Sequence, residues 1–209
     1  MAANLQQEFE FSNSGKRKTP KQKQFEKTNM SLLLKFKEHV AEAHQKLHRN
    51  IFTEFTPAAM DKNLPAVAIV SYLRLFMIRD FPQLCGYATP SRFKLKTVDS
   101  NWVYLKKLDE RFRPQNIETD VNERIIHQVT SDRTDKGANI FFGYTEANQY
   151  GEITGVFAVC IDGDEEVWRI DITRLDNDNR VEAKLEPIKP KSGGPKLKDG
   201  AKVRRAKRE

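Results

Sequence analysis

The chain has 209 residues, of which 38% are hydrophobic, and its 36 basic and 29 acidic residues give a net charge of +7. Its two cysteines, Cys85 and Cys160, lie far apart without a CxxC motif, which excludes a disulfide scaffold and a zinc ribbon and favours a reducing compartment. The longest apolar run, residues 64–78, contains a serine and an arginine and is shorter than the ~20 residues that span a bilayer. We therefore expect a soluble cytoplasmic protein, or a nuclear one in a eukaryote, with no membrane partner.

The positive charge is concentrated at the two ends of the chain. Residues 16–27 hold six basic residues and one acidic residue, residues 187–209 hold nine and two, and residues 28–186 hold 21 and 24. The ends are also rich in Gly, Pro, Lys, Gln and Ser, a composition that cannot fill a core. We predict a disordered basic arm over residues 1–27, a single folded domain over residues 28–186 and a disordered basic tail over residues 187–209.

The first part of the predicted domain, residues 28–87, is expected to be helical. From Ser31 onward, apolar residues recur at the spacing of one helix face, at Phe36, Val40, Ala43 and Leu47. Asn63 can cap a second helix over residues 64–79, and Pro82 ends it. Because this second helix is apolar on nearly every side, we expect it to be the central buried helix.

The second part, residues 88–186, has the period of β-strands. Residues 92–98 and 102–105 alternate between polar and apolar side chains on either side of a turn sequence, which predicts a β-hairpin. A short helix is predicted over residues 119–127, and four strands are predicted at 139–145, 153–161, 167–175 and 180–185. Helices followed by strands indicate the α+β class, with N-terminal helices packed on a mainly antiparallel β-sheet.

Charge also divides the predicted domain into two parts. Residues 28–113 carry 14 basic and 8 acidic residues, whereas residues 114–186 carry 7 and 16. An unequal distribution of this kind gives a folded protein a preferred electrostatic face. Two interpretations follow: the basic ends bind an external polyanion, or a basic tail folds back over its own acidic sheet.

The predicted hairpin is a candidate binding surface. Arg92, Lys94 and Lys96 share one face of the first strand, and an antiparallel neighbour can bring Trp102 and Tyr104 onto that face. This pattern suits single-stranded nucleic acid, because cations meet the phosphates and each base can stack on a ring for about 1–3 kcal/mol. The alternative is that Trp102 and Tyr104 point into the core while the basic residues protect a solvated edge strand from aggregation.

The basic ends complete the predicted nucleic-acid surface. Flexible cations attract polyanions because each phosphate contact releases counterions, and this requires no preformed pocket. The same clusters would serve as nuclear import signals in a eukaryote. The residues that we assign to these electrostatic arms are Lys16, Arg17, Lys18, Arg204, Arg205, Lys207 and Arg208.

Carboxylates in the last part of the domain suggest a metal-dependent alternative. Asp171 on one predicted strand and Glu182-Ala183-Lys184 on the next follow the order found in Mg²⁺-dependent nucleases. In such enzymes two carboxylates hold the metal and the lysine steadies the attacking water or the scissile phosphate. Any acidic hairpin of this length contains the same letters, so the motif is unspecific. The turn over residues 162–166 offers carboxylates as well, but it lacks the twelve-residue calcium-loop pattern.

Two other groups of reactive side chains have simpler explanations. His44 and His48 have the spacing of two zinc ligands on one helix face, but neither an HExxH motif nor a third ligand accompanies them. Cys160 ends an apolar strand, where a thiol packs as a small hydrophobic side chain. The sequence contains no GxSxG, GxxxxGKS/T or GxGxxG motif, so hydrolase, P-loop and dinucleotide-binding functions have no support. We expect no metal and no cofactor.

The sequence leads to three functional hypotheses. The first is a non-enzymatic nucleic-acid-binding protein, for DNA or RNA, whose basic ends provide sequence-independent affinity and whose hairpin provides the docking surface. The second is an adaptor or assembly protein in which the sheet and the apolar helix pack against a protein partner or a second copy. The third is the Mg²⁺-dependent nuclease, which rests only on the order of the carboxylates.

Overall fold

The computed structural model describes residues 15–55, 59, 61, 63–89, 92–115, 119–130, 136–147 and 152–175. Within these residues, short 3₁₀ turns follow the second helix and the last strand. The helices and strands are β1 (Gly15–Lys16), α1 (Gln22–Asn50), α2 (Leu64–Asp80), β2 (Cys85–Thr89), β3 (Arg92–Lys96), β4 (Trp102–Lys107), α3 (Asp120–Ile126), β5 (Val129–Thr130), β6 (Asn139–Glu146), β7 (Ile153–Asp162) and β8 (Glu165–Asp171). This arrangement confirms the α+β class.

Six of the strands form one sheet in the order β2-β3-β4-β6-β7-β8, and β1 pairs with β5 separately. Neighbouring strands are antiparallel except for β4 and β6, which are parallel with Trp102 opposite Asn139. The side chain of Asn101 accepts a hydrogen bond from the Ala138 backbone at 2.9 Å, and the Trp102 backbone donates to the Ala138 carbonyl at 2.8 Å. These bonds tie the start of β4 to the start of β6 and set the parallel register.

The main core lies between helices α1 and α2 and one face of the sheet, which we call the helix face. Large side chains from the central strands, such as Phe142, meet Phe36 of α1 and Phe76 of α2 there. Each such burial stabilises the fold by about 1.5–3 kcal/mol. Part of the other side of the sheet, the opposite face, is covered by the described residues of the connection between β4 and β6. A smaller core forms beneath that connection from Leu108, Phe141, Val159 and Ile161.

Helix α1 begins at Gln22, not near Ser31 as the apolar spacing predicted. Its first turns are held by Phe25, which is fully buried and whose ring lies 5.2 Å from the Trp168 ring, centroid to centroid. The backbone departs from helical geometry at Asn29, whose buried amide donates to the Phe25 carbonyl at 3.0 Å. The apolar periodicity is interrupted at this polar residue, which explains why the pattern located only the later part of the helix.

Residues 15–27 are folded, which corrects that part of the predicted arm, whereas residues 1–14 and the predicted tail over residues 187–209 lie outside the described residues. We call residues 15–21 the N-terminal strap. The indole nitrogen of Trp168 donates to the Pro20 carbonyl at 2.8 Å, and the Gln22 amide donates to the Arg169 carbonyl at 3.0 Å. Disorder was predicted from the many lysines in this segment, and composition gives no information about individual hydrogen bonds such as these.

Helix α2 is buried on one side only, contrary to the prediction of a central buried helix. Its inner side packs on the core, whereas its outer side shows Val67, Leu75 and Ile78 at 59%, 56% and 38% of their full exposure. The physical reason is the two-layer architecture, since a single layer of helices on a sheet leaves each helix an outer side. Nothing in the described part of the chain covers this outer side.

Gln128 joins three segments from inside the protein. It is fully buried and adopts a left-handed backbone conformation with φ of 55°. Its amide nitrogen donates to the carbonyls of Asn139 and Ile161, both at 2.7 Å, and its amide oxygen accepts from the Asn139 backbone at 2.8 Å. One side chain therefore satisfies three buried backbone groups at the ends of β6 and β7.

We expect Gln128→Ala to lower the free energy of unfolding by about 3 kcal/mol or more, since each buried backbone group left without a partner costs about 1–3 kcal/mol. Urea denaturation followed by circular dichroism measures this change. The matched control is Gln45→Ala, because Gln45 is exposed on α1. A loss below about 1 kcal/mol for Gln128→Ala would show that the bridge is not a main support of the fold.

His39 is a buried titratable group at the contact between α1 and α2. Its Nε2 atom lies 3.1 Å from Asp80 Oδ2, and its side chain is 1% exposed. Burial lowers the pKa of His39 below 6.5, with Lys35 and Arg79 acting in the same direction, whereas Asp80 and Glu42 oppose the shift. The folded state therefore favours the neutral imidazole.

This shift predicts that stability falls in mild acid. A histidine whose pKa is lower in the folded state contributes its full stability above about pH 6.5, and the contribution is lost as the pH falls through the folded pKa. His39→Gln should remove this part of the pH dependence, as measured by thermal unfolding between pH 7.5 and 5. The control is His127→Gln, since His127 is 53% exposed. Parallel profiles for the parent protein and His39→Gln would contradict the prediction.

Candidate nucleic-acid interface

The charge of the sheet changes sign from one edge to the other. Strands β2, β3 and β4 contain five basic residues and no acidic residue. Strands β7 and β8 contain four acidic residues and one basic residue. The division that the sequence showed between residues 28–113 and 114–186 is thus a division between two edges of one sheet, and it gives the sheet a basic half and an acidic half.

Strands β3 and β4 form the predicted hairpin. Leu95 is opposite Val103, and Lys96 is opposite Trp102. Within the turn, Ser100 takes a left-handed conformation with φ of 65°, and the Asn101 backbone donates to the Thr97 hydroxyl at 3.0 Å. These contacts close the turn at the register that alternation of the side chains predicted.

The register places the basic and aromatic residues on the opposite face of the sheet. Leu95 and Val103 are fully buried in the main core, so their neighbours along each strand point the other way. The alternative in which Trp102 points into the main core is therefore wrong. Strand alternation gives the members of this surface, which we call the basic hairpin face: Lys94, Lys96, Trp102, Tyr104 and Lys106.

Lys94 and Lys96 both lie over the indole ring of Trp102. The Lys94 Nζ atom is 3.5 Å from the ring centroid, and the Lys96 Nζ atom is 5.1 Å from it. Both distances fall in the range of cation–π attraction, which is worth about 0.5–1 kcal/mol at exposed sites. On the neighbouring strand β2, Gly86 is paired with Lys94, and this glycine adds no side chain beside the Trp102 ring. Sequence alternation placed these residues together but gave no sign that a lysine occupies the face of the ring.

Tyr104 and Arg92 differ from the other predicted hairpin residues. The Tyr104 ring lies 5.9 Å from the Phe141 ring and packs at the margin of the smaller core, so it is half-buried and structural in part. Arg92 is the first residue of β3, and its side chain lies outside the described residues. The structure thus groups Lys94, Lys96 and Trp102 as the centre of the surface.

Two of the predicted arm residues have partners within the protein. Lys16 Nζ lies 2.7 Å from Asp162 Oδ2, and the Arg17 guanidinium donates to the Gly137 carbonyl at 2.5 Å. Lys18 is exposed. The strap, a basic segment, thus lies against the acidic half of the sheet, whereas the basic tail for which folding back was considered lies outside the described residues. The remaining predicted residues, Arg204, Arg205, Lys207 and Arg208, lie outside the described residues.

The acidic residues near β8 have basic partners of their own. Asp164 lies 3.0 Å from Arg113, and Glu166 lies 3.4 Å from Arg169. Asp171, the first residue of the predicted nuclease motif, accepts a hydrogen bond from the Thr173 backbone at 3.1 Å and caps the 3₁₀ turn that follows β8. Glu182 and Lys184 lie outside the described residues, and no cluster of three metal-binding side chains occurs within them.

A cleft of about 770 Å³ lies beyond the end of β4, and Arg111, Phe112, Thr145 and Phe157 are among the residues that line it. One wall contains the ion pair of Lys107 and Glu146, whose atoms are 2.5 Å apart, and the Glu146 side chain is 2% exposed. The neighbouring Tyr144 phenol is buried, and burial together with the Glu146 carboxylate raises its pKa well above the usual value. Because both carboxylate and phenol are buried, this wall is structural.

The thiols offer no nucleophile at neutral pH. Cys160 is fully buried, and burial raises the pKa of its thiol to about 12. Burial also raises the pKa of the half-buried Cys85 thiol. Both groups are therefore protonated near pH 7, and the interpretation of Cys160 as a packing residue agrees with its position on β7.

Comparisons with protein-family models, with curated proteins and with solved structures found no match. Among the helices in the described ranges, none has the length and apolar character needed to cross a bilayer. The chemistry of the surface is therefore the basis on which a function can be argued.

Proposed function

We propose that the protein is a non-enzymatic nucleic-acid-binding protein that contacts the phosphate backbone through the basic hairpin face. The observation that supports this proposal is that Lys94 and Lys96 lie over the Trp102 ring, with Lys106 further along the same face, on strands that carry no acidic residue. Cations held on a regular strand are spaced along one line, as the phosphates of an extended strand are. Such contacts give affinity without sequence preference.

The sign change across the sheet supports one orientation of the ligand. Acidic residues on β7 and β8 repel a polyanion, whereas β2, β3 and β4 attract it. The strap residue Lys16 is already paired with Asp162 of the acidic half. The nucleic acid therefore approaches the β2 edge of the sheet and runs over the basic hairpin face.

Single strands are favoured over duplexes by the exchange that Trp102 allows. Lys94 covers one face of the indole ring, and moving it to a phosphate gives up about 0.5–1 kcal/mol of cation–π attraction. A base that takes its place on the ring gains about 1–3 kcal/mol by stacking. The stacking energy exceeds the cation–π energy, so replacement of Lys94 by a base is favourable. Only an unpaired base can stack on the ring in this way. Lys94 would then contact the backbone of the same strand.

The double substitution Lys94→Ala/Lys96→Ala should weaken binding to all sequences alike. Each lost phosphate contact should also flatten the dependence of log K on log salt by about 0.7 for single strands. Trp102→Ala should remove the preference for single strands, whereas Trp102→Phe should retain part of that preference. Fluorescence anisotropy of single-stranded and duplex oligonucleotides across a salt series measures both effects.

The charge-matched control for this experiment is Arg49→Ala/Arg74→Ala, which removes two exposed cations from helices α1 and α2 on the other side of the sheet. The control should retain the affinity and salt slope of the parent protein more closely than the hairpin variant does. Equal losses in the two variants would show that net charge alone drives binding and that the basic hairpin face has no special part.

A second candidate function is self-assembly through α2. Val67, Ser71, Leu75 and Ile78 follow one another at the spacing of a single helix side. The Ser71 hydroxyl donates to the Val67 carbonyl at 2.7 Å, so this hydroxyl keeps its hydrogen bond when a partner covers this side of the helix. A second copy would present the same apolar row in antiparallel orientation, which is the self-complementary arrangement of a two-fold dimer.

If α2 forms a dimer contact, Leu75→Lys should convert a dimer to a monomer in size-exclusion chromatography with light scattering. The dimer should persist in high salt and after nuclease treatment. Val98→Lys is the matched control, because Val98 is 72% exposed in the hairpin turn. A parent protein that is monomeric at high micromolar concentration would rule out this candidate.

A further inference from the structure

His44 and His48 form a close pair on the surface of α1. Their Nε2 atoms lie 3.0 Å apart, and the centroids of their rings are 4.5 Å apart. The ring of Phe52 stands edge-on to His48 with centroids 4.7 Å apart, which restricts the orientation of that imidazole. Two imidazole nitrogens therefore converge on one point next to solvent, in the last two turns of the helix.

The geometry points to a two-nitrogen binding site for a divalent late transition metal, with nickel and copper as the preferred ions. Imidazole nitrogens bind such metals at about 2.0–2.1 Å, the zinc value, so a 3.0 Å separation of the two nitrogens gives a nitrogen–metal–nitrogen angle of about 94°. A tetrahedral zinc site, with an angle of about 109°, needs nitrogens about 3.3 Å apart. Tetragonal coordination, with angles of about 90°, is typical of Cu²⁺ and Ni²⁺.

The protonation states of the pair agree with this function. At 3.0 Å one Nε2 atom donates its proton to the other, so the two rings adopt different tautomers. A metal bound by both Nε2 atoms requires both protons at Nδ1, which a tautomer change in one ring supplies without loss of a proton from the protein.

The remaining positions of the metal are available to water. Within the described residues no third histidine, cysteine or carboxylate completes a cluster of three, so the pair supplies two ligands. A site of this kind binds an exchangeable ion and does not build the fold. Its structural effect is to link residues 44 and 48 across one helical turn, which stabilises the C-terminal end of α1 when the metal is bound.

The test is a titration of the full, tag-free chain with NiCl₂ and with ZnCl₂ by isothermal calorimetry at pH 7.5. We expect one Ni²⁺ ion per chain and tighter binding of Ni²⁺ than of Zn²⁺. His44→Ala and His48→Ala should each weaken Ni²⁺ binding at least tenfold. Circular dichroism of each variant checks the fold, and His48→Gln provides a second variant that keeps a polar side chain.

The matched control is His127→Ala. His127 is exposed and has a carboxylate at the same helical spacing, because its Nε2 atom lies 3.5 Å from Glu123. This variant should bind Ni²⁺ as the parent protein does. Unchanged Ni²⁺ binding in folded His44→Ala and His48→Ala, or no binding by the parent protein, would overturn the site. Tighter binding of Zn²⁺ than of Ni²⁺ would overturn the tetragonal assignment.

Discussion

The register of β3 against β4 decides which side of the protein carries its exposed positive charge. Leu95 and Val103 face each other inside the main core, and a shift of one residue would exchange the buried side chains of these strands for charged or large polar-aromatic ones. Burial of the apolar row holds Lys94, Lys96 and Trp102 on the opposite face as a consequence. The surface that we propose for nucleic acid is therefore not maintained by its own weak contacts, since the core on the other side of the same strands maintains it.

At the other edge of the sheet, the position of the N-terminal strap likewise depends on contacts with the core. Phe25 and Trp168 pack together in the core, and the Trp168 indole holds the Pro20 carbonyl. Trp168 thus connects the acidic half of the sheet to the segment that carries Lys16 and Arg17. A chain that begins at Thr28 would lose Phe25 and expose apolar surface in the core. A truncation at that position therefore removes the basic N-terminal residues and destabilises the fold at the same time.

Much of the fold could be predicted from the sequence wherever a pattern is local. Side-chain alternation predicted the hairpin, and the strands β6 and β7 were predicted with close bounds. The parallel pairing of β4 with β6 could not be predicted, because it depends on the Asn101 amide reaching Ala138 across a long connection. The start of α1 was missed for a similar reason, since a single Phe25 carries no period. At the site, alternation predicted the shared face, whereas the position of Lys94 over Trp102 depends on side-chain geometry.

In the proposed interface, the Lys94 side chain occupies the face of the Trp102 ring on which a base would stack. In the unbound protein the ammonium lies 3.5 Å from the ring centroid and covers apolar surface that would otherwise meet water. A ligand must offer both a phosphate for the lysine and a flat base for the ring in order to gain from the exchange. A polyanion without bases gains only the first contact and must still displace the cation from the ring. Both kinds of ligand displace the lysine, so we expect the pair to favour nucleic acid over simple polyanions by the stacking energy of a base, about 1–3 kcal/mol, which corresponds to about fivefold to about 150-fold in affinity.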